Sequence, residues 1–398
     1  MSLYDVVIIG AGPSGLGVAQ SLEKNNISNY VVLEREDHAG GIPFHCNHPT
    51  FGWLSKGYGL TGPNFINNLL KDIPSNKIRL NTTVLKIHKN GELDIHSVNG
   101  ISKIKGKRIV ICTGTRERSR AARLISGLRP IGIFTTSALQ QFVYINKDMP
   151  FKKPIIIGSE HVGFSALWTL RNAGIKPIAM IEPKDRIQTF WPLDYFGMLM
   201  GTKLKLNTSL VKINGLSRVE SVTIKQNGNE RDLPCDSVIF CGDFVAENTI
   251  VRESHIKFKN PDVGPLVYKD YKTSDPYVYA CGNLIHPADM GDRCYKEGKR
   301  LGQIVSKDLK LNGEHALNHA YHEVQVNENI YHIFPSLIDN YENSLKFRFR
   351  VKENNHHTLE VSQNGKITAK HNKNYYMHRF YRQKVNDIEN DDLKFTLN

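Results

Sequence analysis

The chain has 398 residues, of which 40% are hydrophobic and 23% charged, with 31 Gly, so it is long enough for two or three domains with sizeable cores. This composition excludes collagen-like, disordered and disulfide-scaffold proteins. A net charge of +13 suits a nucleic acid, an anionic membrane or a polyanionic cofactor as partner.

Val6-Val7-Ile8-Ile9 is a continuous apolar run, as expected for a strand buried on both faces of a parallel sheet. Gly10, Gly12 and Gly15 follow at once, with Pro13 and Ser14 between them. Ser14, Val18 and Leu22 then mark one helical face, and Val31-Val32-Leu33 returns as a second strand that ends at Glu34 and Arg35. This is a complete βαβ opening. Further strands are expected at 108–112, 154–157, 177–181, 237–241 and 277–280, which together predict a doubly wound α/β architecture.

Ile155-Ile156-Ile157 starts a second opening, Gly158-Ser159-Glu160-His161-Val162-Gly163, followed by an apolar helix and a strand ending at Glu182. One Rossmann-like unit inserted inside another is therefore predicted. The first occupies 1–148 and 245–321, and the second 149–244. From about His322 the signals become β-rich. Leu345, Phe347, Phe349 and Val351 alternate with Lys346, Arg348, Arg350 and Lys352, and Asn364-Gly365 reads as a two-residue hairpin turn. A small β-rich domain at 322–385 and a loose end at 386–398 are expected.

The first glycine set fits G-x-G-x-x-G with a strand before it, a helix after it and an acid beyond. Gly10 permits the turn, Gly12 lets backbone approach a pyrophosphate, and Gly15 allows close helix packing. The helix N-terminus favours the anion, Glu34 is placed to accept ribose hydroxyls, and Arg35 stands next to it. In the second set Glu160 takes the middle glycine's place, where a side chain blocks approach and a carboxylate repels a pyrophosphate. Gly158, Gly163 and Glu182 thus outline a nucleotide site that argues against tight NAD(P)H binding. Glu182 would favour NAD over NADP.

Several blocks resemble the FAD-dependent oxidoreductases with two dinucleotide-binding domains, the pyridine nucleotide-disulfide oxidoreductase superfamily. The resemblance covers residues 3–310 and rests on the first glycine set, on Gly40-Gly41, and on the runs ending Cys112-Thr113-Gly114, Cys241-Gly242-Asp243 and Cys281-Gly282-Asn283. It implies FAD, held by the first opening together with Gly41, Thr113, Gly114, Gly282, Asn283 and Asp292. Asn283 stands where the family usually has Asp. The segments Gly282-Asn283-Leu284-Ile285-His286-Pro287 and Gly41-Ile42-Pro43-Phe44-His45-Cys46-Asn47-His48 look more like flavoprotein subunits of hydrogen cyanide synthase and of opine and amino-acid dehydrogenases. His45, Cys46 and His48 are accordingly the candidates for substrate contact or proton transfer, with a structural role or a metal as alternatives.

Six cysteines contain no C-x-x-C and no pair with the spacing of a redox disulfide, so the disulfide branch of the superfamily is not expected. Reduced thiols suggest the cytoplasm, and no run is long enough to span a membrane. Trp191 and Tyr195 are expected in a core or lining a pocket, and Arg116, Arg118, Arg120 and Arg123 on a solvated face, as are the four basic residues of the 345–352 strand. Nucleic acid is not an expected partner. Counted from His322, 11 Lys and Arg face 10 Asp and Glu, so the positive excess lies in the nucleotide folds.

The expectation is a cytoplasmic FAD-dependent dehydrogenase that oxidises a small amino-acid, imino-acid or amine-like substrate. Its electrons go to a soluble acceptor, an electron-accepting partner or a second flavoprotein subunit, and a homo-oligomer is compatible with it. An NAD(P)H-dependent flavin reductase or monooxygenase-like enzyme and a non-catalytic FAD subunit stay open beside it.

Overall fold

The computed structural model describes residues 1–189, 201–260, 262–311, 321–339, 341–377, 379–389 and 392–398. The aromatic stretch with Trp191 and Tyr195 lies outside these residues. The described chain forms two compact units, each built from separate segments.

The first unit comprises Met1–Gly41, Ile66–Thr115 and Ala246–Asn398. Its parallel core runs Ile78–Arg79, Tyr30–Leu33 (β2), Ser2–Ile9 (β1) and the long strand Gly100–Ile111. Ile8 is opposite Val32 on one side and Val110 on the other. Val6, Val7 and Ile8 are fully buried, as an uninterrupted apolar run between two covering layers requires. Gly100–Ile111 is shared along its length. Its first half pairs antiparallel with Glu92–Ser97, and its last residues pair in parallel with Val278–Ala280.

Helix Pro13–Lys24 (α1) follows β1 and packs against the long helix Gly291–Lys310. Glycines permit that contact. A Cβ at Gly298 would fall 2.0 Å from the carbonyl oxygen of Ser14, and one at Gly17 would fall 2.5 Å from that of Tyr295. The helices therefore meet backbone to backbone, closer than larger side chains would allow.

The C-terminal part of this unit is β-rich. One sheet orders Gln325–Val326, Lys394–Leu397, Asn355–Gln363 and Lys366–Tyr375, and another orders Ile330–Phe334, Tyr341–Val351 and Tyr381–Glu389. Phe347, Val361, Tyr375, Phe395 and Leu397 are fully buried in its core. The expected hairpin turn is present, with Asn364 and Gly365 both at positive φ.

Two expectations fail here. Residues 386–398 are not a loose end, because Lys394–Leu397 lies in the sheet between Gln325–Val326 and Asn355–Gln363, with Phe395 and Leu397 turned into the core. The charged run before it hides an ordinary alternating strand. Nor are Arg348 and Arg350 on a solvated face. Both guanidinium groups lie against the Phe380 ring, at 3.6 and 4.4 Å from its centre, and both bond to residues 287–289.

The second unit comprises Ile42–Phe65 and Arg116–Val245, so it begins before the expected boundary at 149 and takes in an earlier segment. One of its sheets is wholly parallel, in the order Leu204–Lys205, Met180–Ile181, Pro154–Ile157, Ser237–Phe240 and Ile133–Thr135, and another pairs Thr208–Asn214, Ser221–Gln226 and Asn229–Pro234 antiparallel. Helix His161–Asn172 follows the strand Pro154–Ile157. Among the described residues no helix is long and apolar enough to cross a membrane.

Candidate functional site

In the first unit, β1 delivers Gly10 at φ +102, and a Cβ there would lie 2.5 Å from the carbonyl oxygen of Cys112. A Cβ at Gly15 would lie 1.9 Å from the oxygen of Gly10, so strand, turn and helix close on one another only with glycine at both positions. Gly12 differs. A Cβ there meets nothing within 4 Å, and the same holds at Gly114. Neither glycine is needed for the protein's own packing beside it, which leaves open space over the N-terminus of α1.

That terminus has Gly12 as its N-cap, Pro13 inside the first turn, no side-chain cap and no acid in its first turn. Its amides and positive dipole end are thus unopposed, as suits a phosphate. Glu34 at the end of β2 is buried. One oxygen accepts the amide of Ala11 at 2.8 Å and the other accepts that of Glu36 at 3.1 Å, fixing the carboxylate beside the turn. Arg35 is exposed and pairs with Glu36. Thr113 donates its hydroxyl to the carbonyl of Glu247, while Gly114 accepts the Glu247 amide, so this strand-end loop is held rigid from both sides. Gly41, at φ +59, would bring a Cβ to 3.2 Å from Cα of Gly12 and so also abuts the turn.

The run ending Cys281-Gly282-Asn283 returns to the same place. Gly282 is at φ +72, and a Cβ there would collide with the Ser14 hydroxyl at 1.9 Å. Its amide donates to Glu297 at 2.6 Å. Asn283 closes its own loop, accepting the Asp289 amide at 2.9 Å and donating to the Asp289 carbonyl at 3.2 Å. This accounts for Asn at a position where Asp is usual, since a carboxylate would place an acceptor against the Asp289 carbonyl. Asp292 is buried in the first turn of Gly291–Lys310. These residues of the first unit fit a dinucleotide: a glycine cradle with open space, an uncapped helix terminus and a fixed carboxylate.

The second opening keeps the turn and fills the space. Gly158 is again at φ +102, and Glu182 again accepts the following amide, that of Ser159, at 3.0 Å. The Ser159 hydroxyl also donates to that same carboxylate oxygen, at 2.6 Å. A Cβ at Gly163 would lie 2.9 Å from the oxygen of Gly158. Glu160 turns its carboxylate against Gly242, whose own Cβ position is only 2.3 Å from the carboxyl carbon. It accepts the Asp243 amide at 3.4 Å, and burial pushes its pKa up to about 7.

The three proposed chemical residues belong to this second unit. Burial, with Glu117 nearby, pushes the Cys46 thiol up to about 12, and the thiol donates to the carbonyl of Ile42 and to Gln140. A neutral thiol is a poor nucleophile. His48 shares a hydrogen bond of 2.7 Å with Thr50 and stacks on Phe51, and burial lowers its pKa to about 4. His45 is buried at the end of the turn Ile42–His45.

Sequence spacing also hid a thiol pair. Ala280 pairs with Ile111, so the next residues, Cys281 and Cys112, lie side by side with sulfurs 3.5 Å apart. The bond from Cys112 and complete burial hold the Cys281 thiol well above the ordinary cysteine range, which opposes thiolate chemistry there. The buried bonding of His286 to His332 and Glu297 was likewise missed. Only the apolar context of His286 beside Asn283 hinted at it.

The pyridine nucleotide-disulphide oxidoreductase family matches residues 4–298. A ferredoxin--NADP reductase of Picrophilus torridus is 26% identical over 80% of this chain and 99% of its own length. A soluble pyridine nucleotide transhydrogenase of Vibrio atlanticus is 22% identical over 76% of this chain and 71% of its own. Among solved structures, T. acidophilum thioredoxin reductase aligns with a TM-score of 0.65 at 19% identity, covering 78% of this chain and all of the other. L-proline dehydrogenase from P. horikoshii aligns at 0.57 and 19%, covering 77% of this chain and 56% of the other. At such identity these two structures speak for the fold alone. With the family match spanning most of the chain and a glycine cradle that fits its dinucleotide, the chain belongs to the pyridine nucleotide-disulphide oxidoreductases and is an FAD-dependent oxidoreductase.

Proposed function

We propose that the chain is a flavin-dependent dehydrogenase that oxidises a small amino-acid, imino-acid or amine-like substrate and passes the electrons to an acceptor protein or a soluble acceptor. One observation carries this reading: an open dinucleotide cradle at Gly12 in one unit, and at the matching position of the other a side chain, Glu160, that fills the cradle. FAD would supply two-electron acceptance, and the α1 terminus would hold its pyrophosphate and Glu34 its adenosine ribose. The chain's own groups do the rest. Gly282, Asn283 and the N-terminus of Gly291–Lys310 would orient the flavin end, and the amides of that terminus favour negative charge on it. His45, Cys46 and His48 stay the candidates for substrate contact or proton transfer, with burial holding the Cys46 thiol neutral and making His48 a weak base.

A second reading, an NAD(P)H-dependent flavin reductase, is favoured by the relatives named ferredoxin--NADP reductase and soluble pyridine nucleotide transhydrogenase. Anaerobic mixing separates the two. The dehydrogenase reading expects the flavin absorption near 450 nm (roughly the usual flavin band) to bleach with amino acids, imino acids or amines. Rapid bleaching by NADH or NADPH, with none by those substrates, overturns it in favour of the reductase.

A further inference from the structure

Among the described residues the β-rich region contributes none to the dinucleotide cradle itself, yet its basic residues converge on one loop of the first unit. Arg348 on the strand Tyr341–Val351 bonds to the carboxylate of Asp289, and Arg350 on the same strand donates to the carbonyl of Pro287. His332 lies across the sheet from Arg350 and meets the ring of His286, with the nitrogens 3.2 Å apart. The register explains the convergence: Arg350 opposes His332 and Arg348 opposes Phe334, so all four side chains project from one face. Phe380 completes the contact, with both guanidinium groups over its ring and the two histidine rings at its edge.

The loop reached in this way is the flavin motif. Gly282 is fixed by Glu297, which also holds His286 at 2.9 Å. Asp289 is tied to Asn283 through two backbone bonds. Burial is the largest single influence and works to raise the Asp289 carboxyl, but the charge and hydrogen bond of Arg348, with His286 and the Met290 amide, together outweigh it and hold the group below the usual carboxylate range. Loss of Arg348 would leave the buried Asp289 carboxylate with the Met290 amide and the half-exposed Arg293, 3.4 Å away, as its remaining partners, and the loop would have to move to solvate it further. Any such movement passes through the Asp289 backbone to Asn283.

We propose that the β-rich region positions the flavin motif, with Arg348 on Asp289, Arg350 on Pro287 and His332 on His286 holding residues 282–292 in their binding conformation and so setting the affinity for FAD. The inference rests on the assignment of FAD to the first unit. Arg348 is a positioning residue in it, acting through Asp289.

The test uses full-length protein stripped of flavin and titrated with FAD while the quenching of flavin fluorescence is followed. Arg348→Met is expected to weaken FAD binding roughly tenfold. Arg348→Lys, which keeps the charge, is expected to recover most of that loss, and the double variant Arg348→Met with Asp289→Asn to bind more tightly than Arg348→Met alone, because the buried charge that has lost its nearer guanidinium partner is removed. Affinity within twofold of wild type in a folded Arg348→Met protein overturns the proposal. If Arg348→Met does not fold, Arg350→Met, which removes the bond to the Pro287 carbonyl, carries the test, and wild-type affinity in it overturns the proposal. Recovery by Arg348→Lys of thermal stability but not of affinity would reduce Arg348 to a packing role and also overturn it. A wild-type chain that takes up no FAD refutes the cofactor assignment instead, and is recognised by the absence of quenching before any substitution is made.

Discussion

After β1 in one unit and after Pro154–Ile157 in the other, the chain turns through a glycine at φ +102, Gly10 or Gly158, and then offers an amide to a carboxylate at the end of the neighbouring strand, Glu34 or Glu182. Beyond the turn the two units diverge. Gly12 faces open space, whereas Glu160 folds onto Gly242. Ala11 gives its carboxylate one bond, whereas Ser159 gives two. The glycines common to both openings are those the backbone itself requires, and the one that differs faces open space that the protein's own packing does not use. A glycine motif therefore contains two kinds of position, and only the second kind reports on binding.

The largest effect that would test this division is expected at Gly15. Gly15→Ala places a methyl group 1.9 Å from a carbonyl oxygen of its own turn, so the protein should be recovered without flavin absorbance or not recovered folded. Normal flavin content would break the distinction at its base. Next comes Glu34→Gln, expected to weaken FAD binding about tenfold by fluorescence titration, while Glu182→Gln leaves FAD binding within about twofold. Equal losses in both variants would mean that the two carboxylates are not divided as proposed.

A smaller change is expected for Glu160→Gly, which empties the second cradle. Affinity for NADH should rise by several-fold in equilibrium titration, and Ser159→Ala on that background should add to it by freeing one bond to Glu182. No gain would mean that Glu160 is not the obstacle. The smallest effect concerns pH. Because burial raises Glu160 to about 7 from an ordinary 4.5, the folded chain retains a proton there that the unfolded chain has released. Its contribution to stability should fall as pH rises from about 4.5 to about 7 and stay lower above that range. Urea midpoints of the wild type and Glu160→Gln at pH 5 and pH 8 check this: the glutamine variant should lose less between them.

Much of the architecture was legible because it depends on local patterns. Apolar runs marked the parallel strands, glycines marked the turns, and the alternation of Leu345, Phe347, Phe349 and Val351 marked a strand with one buried face. Pattern alone cannot say what covers the other face. Arg348 and Arg350 read as solvent-facing because nothing in their own strand shows that residues 287–289 approach them. Phe395 and Leu397 were overlooked for a related reason: a strand of four residues behind a polar run carries too few alternations to stand out. The thiols of Cys112 and Cys281 meet only through the pairing of distant strands, which sequence spacing does not encode.

The close approach of α1 to Gly291–Lys310 orders events during synthesis. The first glycine turn leaves the ribosome early, but the wall that seats on Ser14, formed by Gly282 and Gly298, is translated more than two hundred residues later. Until that helix emerges the nascent chain holds half a cradle and an uncovered helix face. With FAD in this cradle as proposed, flavin capture is expected only after the helix is made, and a chain truncated before it is expected to purify without flavin.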